Sequence, residues 1–586
     1  MKQLQTVYIN QEKFKETLNG WKEKISSARG KAIAHIIQRY DAMPEAYLMY
    51  REITAVFAEI LPEVPYAVFS GAGEISDQQI TDNVFTVTLT IFEDSESDVR
   101  IHLFSMSEPI AVAEVLRKQI FRLPELCGVE IISALVPDRL FELLNIMDEL
   151  PSNVEVFGGV AVSDSSCPPF VAVNSGHSMT DAFILITYSG PRLHIMTKRA
   201  NGWRPIGFPI RVSKASADVI YTLNDAPAFD VYSHYLKIPN DRNFFYNALE
   251  FPFEISEPNG DTYIRHAKSS TGSGAIIMSA YVPEGSTIRL TYGDPDSIMQ
   301  DVQEEVQHIA DFKPDILYIC NCLGRKLFWG DDASIDISPF LSLAPMSGGC
   351  YLGEILRFNG RTYLNNLSLV VVSMREGEAQ DYPSFSITDS NARVLSLASR
   401  LASFINTMTG ELQEANEQLK SLLKQATTDA LTELYNRGEI ERRINQRNEQ
   451  LSQDHKPWSL IMMDIDDFKQ INDNYSHAEG DNVLKNIAEA VRSLLETAFP
   501  EASLGRWGGE EFMILLPESD AEVAAALAET LRLAIAHLRC SSYSNVTMSF
   551  GVTEHIPGET VETILNRADE ALYIVKNGGK NAVKVL

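Results

Sequence analysis

Two adjacent carboxylates follow a pair of glycines near the end of the chain, and their types and spacing could support chemistry. The stretch Arg506–Phe512 has the sequence Arg-Trp-Gly-Gly-Glu-Glu-Phe and lies between two alternating apolar runs, which predicts a tight β-hairpin followed by Glu510 and Glu511. Glycines let a bulky anion approach the backbone, whereas the two acids would repel it unless a metal cation lay between them. The stretch therefore indicates a metal-assisted site for a phosphate substrate. An ordinary hairpin with solvated glutamates is the alternative on this stretch alone.

A second acidic cluster, residues 464–467, follows an apolar run of buried-strand length, Ser459–Met463. Carboxylates at a strand end can hold a hard cation through oxygen. A helical pattern begins at Phe468, and a helix start offers free N–H groups and a positive dipole end to a phosphate. Lys469, in the first turns of that helix, could reach the same phosphate. A routine helix N-cap is the alternative, but two acidic clusters at turns favour one shared metal site.

Five segments spread over the last part of the chain carry the motifs of one family. They are Asp429–Arg437 (Asp-Ala-Leu-Thr-Glu-Leu-Tyr-Asn-Arg), Asp464–Asp473, Ser476–Asp481 (Ser-His-Ala-Glu-Gly-Asp), Gly508–Phe512, and Ala568–Tyr573 with Lys576, Gly579, Lys580 and Asn581. On these motifs, residues 426–586 resemble the GGDEF family of diguanylate cyclases. The resemblance implies a nucleotidyl-cyclase-like α/β sandwich with a mixed central sheet, and condensation of two GTP molecules into cyclic di-GMP plus pyrophosphate.

The resemblance also implies roles for particular residues. The implied catalytic residues are Glu510 as proton acceptor, Lys469 on the phosphates and Glu511 completing the acidic pair. The implied metal ligands are the Asp464 carboxylate, the Ile465 backbone carbonyl and Glu510, which would hold two Mg²⁺ ions per half-site together with GTP. The implied substrate-binding residues are Asn472, His477 and Asp481, of which Asn472 and Asp481 match guanine-reading positions. Lys576 and Lys580 match phosphate contacts.

Several positions depart from the family pattern. Ser476 stands where the family motif begins with glycine, and Lys580 replaces a usual arginine, which keeps the charge but loses bidentate geometry. Glu433 replaces a frequent glycine. The Arg-x-x-Asp of product inhibition is missing, because the candidate windows beginning at Arg492 and Phe499 lack its aspartate. We therefore predict weak or absent feedback inhibition by cyclic di-GMP.

Composition restricts the partners and the compartment. The 586 residues carry a formal net charge of −29, which argues against a nucleic-acid surface and against docking on anionic lipid. None of the six cysteines forms a C-x-x-C pair, and Cys320 and Cys322 follow an apolar run, so buried free thiols are expected rather than a metal site. The beginning of the chain has no signal-peptide core, and no apolar run is long enough to span a membrane. We expect a soluble cytoplasmic protein without nucleic-acid partners.

The rest of the chain is predicted to be an α/β and α+β sensor joined to the last domain by a helical coiled-coil linker. The predicted boundaries are a helical segment at 1–60, two sensory lobes at 61–225 and 226–376, a coiled-coil signalling helix at 392–425 and the cyclase-like domain at 426–586. Residues 374–391 are a polar connector. Phe69–Ile75 and Gly348–Ile355 both contain Gly-Glu-Ile and are followed by a strand-like pattern, which is consistent with a duplicated lobe or with chance.

The sensor resembles the FIST family of bacterial sensory modules. The residues that carry the resemblance are Ser70–Ile75, Phe157–Gly159, Phe251–Phe253, Tyr263–Arg265, Cys322–Arg325 and Gly349–Ile355. It implies binding of a small ligand, proposed for the family to include amino acids. Haem is a further hypothesis, with His177, His234 or His266 as axial ligand, although lone histidines are more often structural or surface residues.

Apolar residues alternate by four and three along the linker helix. They are Leu401, Ile405, Met408, Leu412, Ala415, Leu419 and Leu422. This a/d seam predicts a parallel dimeric coiled coil, and one amphipathic helix packed on its own domain is the alternative. A homodimer would bring two GTP-loaded domains face to face, and ligand binding in the sensor would change the seam. The alternative function is a non-catalytic GTP-binding or ligand-sensing protein with a degenerate output domain.

Overall fold

The structure, a computed structural model, describes residues 1–41, 45–76, 79–163, 168–174, 176, 178–257, 260–379, 397–454, 456–540, 543–544 and 546–586. The chain divides into two compact units, Met1–Thr409 and Gly410–Leu586. Among the helices in the described ranges, none combines the length and the apolar composition that a bilayer crossing requires.

The first unit contains most of the strands. Up to residue 200 its elements are β1 (Lys2–Val7), α1 (Gln11–Ser27), β2 (Ala32–Arg39), α2 (Glu45–Ile60), β3 (Tyr66–Gly71), β4 (Glu74–Ser76), β5 (Gln79–Thr81), β6 (Phe85–Ile91), β7 (Asp98–Ser105), α3 (Pro109–Val115), β8 (Leu126–Ser133), α4 (Pro137–Met147), β9 (Glu155–Val160), β10 (Val171–Val173), β11 (Ala182–Ser189) and β12 (Leu193–Ala200). They are followed by β13 (Trp203–Ser216), β14 (Val219–Leu223), β15 (Ala226–Pro227), α5 (Ala228–Leu236), α6 (Phe244–Leu249), β16 (Phe253–Ser256), β17 (Thr262–Arg265), β18 (Ala267–Ser270), β19 (Ile276–Met278), β20 (Thr287–Gly293), α7 (Pro295–Phe312), β21 (Ile316–Cys322), α8 (Leu323–Trp329), β22 (Met346–Tyr351), β23 (Glu354–Phe358), β24 (Arg361–Asn365), β25 (Leu369–Glu376) and α9 (Leu397–Thr427), the last of which continues into the second unit.

Three mixed sheets of this unit follow one topology. Their strand orders are β1-β6-β2-β3-β10, β7-β11-β8-β9-β23-β24 and β12-β25-β21-β22-β4-β5. Each sheet contains a parallel pair, β2 with β3, β8 with β9, and β21 with β22. After each pair the chain passes into another sheet, from β3 to β4, from β22 to β23, and from β9 to β10. The sheets are therefore three copies of one arrangement joined in a cycle.

The two Gly-Glu-Ile segments, which suggested a duplicated lobe, lie at two of the points where the chain passes into another sheet. Glu74 pairs with Gly349, and Glu354 pairs with Gly159, so both Gly-Glu-Ile segments enter a neighbouring sheet in the same way. The glycine before each pairing position is sterically required. A Cβ on Gly348, whose φ is 145°, would lie 1.9 Å from the carbonyl oxygen of Ile319.

A buried polar cluster lies where the three copies meet. His35, Glu130 and Tyr318 occupy corresponding register positions on β2, β8 and β21. His35 Nε2 lies 3.2 Å from Glu130 Oε2, the His35 and Tyr318 rings are 5.1 Å apart, and the Tyr188 hydroxyl donates to Glu130 at 2.6 Å. Apolar residues of all three sheets form one core around this cluster. The expected α/β architecture of this part of the chain is confirmed, and residues of both expected lobes belong to this core.

The expectation of an all-helical segment at 1–60 was wrong. Strands β1 and β2 lie there beside the helices α1 and α2. Ala32, Ile36 and Ile37 fit a helical spacing, but Ala32–Gln38 are all buried on β2. A strand covered on both faces loses its alternation, so periodicity does not distinguish it from a buried helix.

An eight-stranded sheet is inserted between β12 and α7. Its order is β17-β16-β20-β13-β14-β19-β18, with β15 paired to β14. The pairing of β13 with β20 shifts between Ile206 and Ile210, and Gly207 in this bulge has a φ of 75°. Of the predicted connector at 374–391, residues 380–391 lie outside the described residues.

The second unit is an α/β sandwich with a mixed central sheet, as expected. Its further elements are α10 (Arg437–Asp454), β26 (Trp458–Ile465), α11 (Phe468–Tyr475), α12 (His477–Ala498), β27 (Ser503–Arg506), β28 (Glu511–Pro517), α13 (Ala521–Ala536), β29 (Arg539–Cys540), β30 (Tyr543–Ser544), β31 (Met548–Glu554), α14 (Val561–Asn577) and β32 (Val583–Val585). The central sheet has the order β27-β28-β26-β31-β32, in which only β31 and β32 pair in parallel.

Both faces of the central strand β26 are covered by helices. Ile461 and Met463 pack in the core formed with α12 and α13, whereas Leu460 and Met462 pack in the core formed with α10 and α14. Successive side chains of a strand point to opposite faces, so burial on both faces gives the continuous apolar run seen in the sequence. This packing fixes the end of β26, where the acidic cluster begins.

Candidate active site

The two acidic clusters meet at the ends of neighbouring strands. Asp464 on β26 lies opposite Glu511 on the antiparallel strand β28. One residue further, the Ile465 N–H donates to the Glu510 carbonyl oxygen at 3.2 Å. The sequence therefore folds so that the predicted metal-binding segment and the Gly-Gly-Glu-Glu stretch form one site.

The predicted hairpin is formed by β27 and β28, with Trp507–Glu510 as its turn. The Trp507 N–H donates to the Glu511 carbonyl oxygen at 2.8 Å. A Cβ on Gly508 would lie 2.4 Å from Glu511 Oε2, whereas a Cβ on Gly509 would meet no atom within 4 Å. The first glycine thus makes room for the Glu511 carboxylate, and the second leaves the tip of the turn open.

Arg506 braces this turn, a role that the sequence did not indicate. Its guanidinium donates to the Gly509 carbonyl oxygen at 2.6 Å and to both Asp429 oxygens, at 3.1 and 3.3 Å. Asp429 also accepts from the N–H and the hydroxyl of Thr432. The opening motif at 429–437 is therefore tied to the hairpin by a charge-assisted contact.

Two lysines lie against the acidic strand end. Lys576 Nζ donates to Asp464 Oδ1 and to the Ile465 carbonyl oxygen, the latter at 3.1 Å, and it lies 3.4 Å from Asp466 Oδ1. Lys580 Nζ donates to Asp467 Oδ1 at 2.6 Å. One ammonium group thus contacts both of the oxygen donors that the family resemblance assigns to a metal on β26. These oxygens converge on a position that suits a cation.

Asp466 has a different role from its neighbour Asp464. It is buried, and it accepts hydrogen bonds from the Thr547 hydroxyl at 2.8 Å, the Ser549 hydroxyl at 2.7 Å and the Asn581 N–H at 3.0 Å. Its oxygens are satisfied within the protein, so Asp466 fixes the end of β26 against β31. The sequence contained no signal for Thr547 and Ser549, which lie outside the five family segments, whereas Asn581 belongs to the last of them.

The electrostatics of the site favour a cation. Burial raises the pKa of Asp464, and it raises the pKa values of Glu510 and Glu511, to which the Asp464 charge adds. Three half-buried carboxyl groups therefore repel one another while they are ionised. A bound cation would relieve this repulsion and favour the ionised forms.

The expected substrate residues lie on α11 and α12. Asn472 is half-buried, and a Cβ on Gly480 would lie 2.0 Å from Asn472 Oδ1, so the amide occupies space that a side chain at 480 would fill. Asp481 follows this glycine directly and is exposed. The structure thus brings the two expected guanine-reading residues, Asn472 and Asp481, to one helix junction.

Lys469 and His477 are also exposed, at the beginnings of α11 and α12. Within the described part of the chain, Lys469, His477 and Asp481 form no side-chain hydrogen bond or ion pair, so they are available to a ligand. The described residues contain no group of three or more metal-ligating side chains. The expected set has two carboxylates and a carbonyl, so the assignments of metal, catalytic and substrate residues stay predictions.

In the first unit, the structure shows the environments of the two closely spaced cysteines and of two of the three candidate haem ligands. Cys320 and Cys322 are buried free thiols, as expected. His234 is exposed on α5, whereas His266 is buried against Phe245, and burial lowers its pKa to about 3. His177 lies outside the described residues. Haem ligation therefore stays a hypothesis.

Comparisons with known proteins agree with both resemblances. Residues 426–582 match the GGDEF family, described as diguanylate cyclase, GGDEF domain; residues 42–226 match the FIST N domain, and residues 228–357 match the FIST C domain. The chain thus combines a FIST sensory module with an output domain of the nucleotide-cyclase class. More particularly, residues 426–582 are a GGDEF domain, preceded by FIST N and FIST C domains.

Relatives that are named as diguanylate cyclases share only part of their length with this chain. VdcA of Vibrio cholerae serotype O1 is 37% identical over 188 residues, which are 31% of this chain and 53% of the relative. DgcP of Pseudomonas aeruginosa is 34% identical over 38% of this chain and 34% of its own. DgcM of Escherichia coli K12 is 38% identical over 30% of this chain and 41% of its own. The chain therefore spans about half or less of these relatives.

Two solved structures are similar to the same part of the chain. The GGDEF domain of DgcB from Caulobacter crescentus, solved in complex with c-di-GMP, is 34% identical and covers 27% of this chain and 93% of that chain, with a TM-score of 0.26. The active GGEEF domain of a diguanylate cyclase from Vibrio cholerae is 32% identical and covers 26% of this chain and 96% of that chain, with a TM-score of 0.25.

Proposed function

We propose that this protein is a diguanylate cyclase that joins two GTP molecules into cyclic di-GMP and releases pyrophosphate, under the control of a small ligand bound by its FIST module. The observation that carries the catalytic part is the meeting of Asp464 with Glu510 and Glu511 at paired strand ends. All implied catalytic and substrate positions are filled by residues of the expected type. Several curated relatives, among them VdcA, DgcP and DgcM, are named as diguanylate cyclases.

The chemistry is an in-line phosphoryl transfer. The 3′-hydroxyl oxygen of each GTP forms a bond with the α-phosphorus of the other, and the bond from that phosphorus to the pyrophosphate oxygen breaks. The hydroxyl proton passes to Glu510, the acid that directly follows the Gly-Gly turn and matches the proton acceptor of the family. Lys469, Lys576 and Lys580 offset the charge on the phosphate oxygens. Two such transfers close the ring and release two pyrophosphates.

The residues present fit a divalent cation. Asp464, the Ile465 carbonyl and Glu510 would hold Mg²⁺, since Lys576 Nζ, itself a cation, already contacts the first two groups. Held by these residues, Mg²⁺ would supply positive charge to the triphosphate and Lewis-acid activation to the attacking hydroxyl. The protein positions the acids and the lysines around this point, because Asp466 fixes the strand end and Arg506 braces the turn.

One domain holds one GTP, so catalysis requires a second copy. Six apolar residues of the predicted seam are between 43% and 61% exposed, namely Leu401, Ile405, Met408, Leu412, Leu419 and Leu422. On the same helix, Ala402 is buried, and Asn406 is half-buried with its amide bonded to the inserted sheet. The helix therefore docks with one face and leaves the seam free, which favours a coiled-coil homodimer over packing on its own domain.

Asn406 connects this helix to the inserted sheet. Its amide accepts from the Gly207 N–H at 3.1 Å and donates to the Pro205 carbonyl oxygen at 3.0 Å. Both partners belong to the bulged region of β13. A ligand that shifts this sheet would therefore move the beginning of the signalling helix, and so change how the two cyclase domains face each other.

The deciding experiment compares purified wild-type protein with Glu510→Ala in GTP and Mg²⁺, with product analysis by chromatography and mass spectrometry. Glu522→Ala is the matched control, because Glu522 is exposed on α13 away from the acidic strand ends. We expect cyclic di-GMP from the wild type and the control, and a loss of at least about a hundredfold in Glu510→Ala. GTP binding without product in the folded wild-type dimer would instead support the non-catalytic alternative.

A further inference from the structure

A cavity of about 270 Å³ lies in the first unit between helix α4 and the inserted sheet. Its walls include the aromatic residues Phe141, Tyr263, Tyr281 and Tyr363. Phe141 on α4 and Tyr281 beyond β19 stack across it, with ring centroids 4.2 Å apart. The volume is close to the lower end of the range for small-molecule sites, so the cavity suits a compact ligand with an apolar body.

Two carboxylates also line this cavity. Asp148, which ends α4, accepts one hydrogen bond from the Thr362 N–H at 2.6 Å, and Glu257 accepts one from the Tyr263 hydroxyl at 2.9 Å. Each of these bonds uses one oxygen of its carboxylate, so acceptor capacity remains on both acids. Burial raises the pKa of Asp148, which means that its negative charge lacks full compensation.

Two further features favour a positive charge in the cavity. The C-terminal end of α4 lies at its wall, through Leu144, Asn145 and Asp148, and the C-terminus of a helix attracts cations. The faces of aromatic rings do the same through their quadrupole. The helix end, the aromatic rings and the carboxylates therefore all favour a cationic ligand in the cavity.

Two arginines line the cavity as well, but their charges are otherwise engaged. The Arg265 guanidinium donates to the carbonyl oxygens of Ile264, Leu364 and Tyr281 and stacks on the Tyr263 ring at 4.3 Å. The Arg361 side chain is exposed, so solvent and salt screen its charge. Arg265 thus uses its Nε and Nη1 atoms within the protein, and an anionic probe tests for the guanidinium charge that remains.

We propose that this cavity binds a small organic amine, with the ammonium group on Asp148 and Glu257 and the apolar body beside the stacked Phe141 and Tyr281 rings. The proposal deepens the sensory part of the proposed function and rests on it, since it names the site and the chemical class of the ligand. The cavity joins α4 to the inserted sheet, and that sheet bonds Asn406 on the signalling helix.

The test is calorimetric titration of the full chain, without GTP, with three probes of similar shape. They are 2-phenylethylamine, the neutral 2-phenylethanol and the anionic 3-phenylpropionate. We expect the amine to bind about tenfold more tightly, or better, than either of the others, because only the amine can pair with the half-buried carboxylates. Equal or tighter binding of the carboxylate, or no measurable binding of the amine, would overturn the proposal.

Two conservative variants locate the site. Asp148→Asn and Glu257→Gln keep an oxygen for Thr362 and Tyr263, so we expect both variants to fold and to bind the amine roughly ten- to a hundredfold more weakly. Glu142→Gln is the matched control, because Glu142 is exposed on the same helix outside the cavity lining. Wild-type affinity in both cavity variants would contradict the assignment.

A cyclase assay with and without the amine separates the two proposals. Binding that does not change the rate of cyclic di-GMP formation would leave the site intact and contradict ligand control of the enzyme. Normal cyclase activity in a protein that binds no amine would contradict the site and leave the enzyme in place.

Discussion

The Lys576 ammonium group donates hydrogen bonds both to the Asp464 carboxylate and to the Ile465 carbonyl oxygen, the latter at 3.1 Å. It lies on the two oxygen donors of β26 that are expected to hold a divalent cation. A lysine and a metal ion cannot share these oxygens at close range, because like charges repel. We therefore predict that the lysine neutralises the strand end in the free protein and moves to the phosphates when a metal ion and GTP bind.

Because Lys576 is expected to compete with a metal ion, the variant Lys576→Ala should bind metal more tightly and catalyse more slowly. Without nucleotide, we expect the variant to bind Mn²⁺ severalfold more tightly than the wild type, because the ammonium no longer competes for Asp464. With GTP, we expect kcat/KM to fall by about tenfold or more, because a charge-assisted phosphate contact is lost. Calorimetric Mn²⁺ titration and initial rates measure the two effects. Lys584→Ala, an exposed lysine on β32, is the control. Unchanged Mn²⁺ affinity in Lys576→Ala would contradict the competition.

Ser476 carries a backbone conformation that suits glycine. Its φ is 131°, a region that residues with a Cβ rarely adopt, and its hydroxyl caps α12 by accepting from the Glu479 N–H at 3.4 Å. We expect Ser476→Gly to raise the free energy of unfolding by about 1 kcal/mol, because relief of strain exceeds the few tenths lost with the cap.

The matched control for this effect is Ser493→Gly, since Ser493 is exposed inside α12. At position 493, replacing serine by glycine should lower the free energy of unfolding by roughly 0.5 to 1 kcal/mol, because glycine loses more chain entropy than other residues when it is fixed in a helix. Hydrogen exchange of α11 and α12 in the full chain measures both variants. Destabilisation of the two variants by equal amounts would show that position 476 is not strained.

Glu354 makes the stability of the first unit depend on pH. Burial raises its pKa to about 8, although Ser368 donates to it at 2.7 Å and Arg325 favours its ionised form. Because the folded pKa lies above the unfolded value, the contribution to stability is complete below about pH 4.5 and is lost as the pH rises through about 8. The sign is opposite to that of an acid in a salt bridge.

The variant Glu354→Gln removes this titration. We expect the stability advantage of the variant over the wild type to grow between about pH 5 and pH 8, by at most about 1.4 kcal/mol per pH unit. Urea unfolding at several pH values measures it, and Glu63→Gln, an exposed glutamate, provides the control. Parallel pH profiles for wild type and Glu354→Gln would mean that Glu354 is not buried as a neutral acid.

The sequence predicted the acidic site because local patterns determine it. An apolar run ending in acids and a Gly-Gly hairpin specify the two strand ends, and the antiparallel pairing of β26 with β28 brings Asp464 beside Glu511. The partners of Asp466 could not be predicted in this way. Thr547 directly precedes β31 and Ser549 lies on it, and only the addition of β31 to the sheet places them there.

Prediction of the first unit from the sequence was limited for the same reason, because long-range topology determines which of its residues meet. β2 is buried on both faces, so its periodicity indicated a helix instead of a strand. The cluster of His35, Glu130 and Tyr318 arises only when three sheets exchange strands in a cycle, and no spacing along the chain indicates which residues will meet. Side chains brought together by long-range topology need the structure, whereas motifs within one turn or one strand end do not.

Asn406 is the residue whose removal should separate sensing from catalysis. Its amide bonds the Gly207 N–H and the Pro205 carbonyl oxygen in the bulge of β13, so Asn406→Ala removes both hydrogen bonds between this helix face and the inserted sheet. We expect faster hydrogen exchange of the Gly207 amide by about tenfold, because it loses its acceptor. We also expect cyclase activity to persist while its response to a sensor ligand falls severalfold.

Asn416→Ala is the matched control for this coupling, because Asn416 is exposed on the same helix further from the sensor. Exchange of the Gly207 amide and the ligand response should both stay at wild-type values in that variant. The contradicting result would be faster hydrogen exchange at Gly207 in Asn406→Ala together with an intact ligand response. That result would show that these hydrogen bonds do not transmit the ligand signal from the sheet to the helix. The signal would then have to pass through the Ala402 contact, the remaining buried contact of this helix face among the described residues.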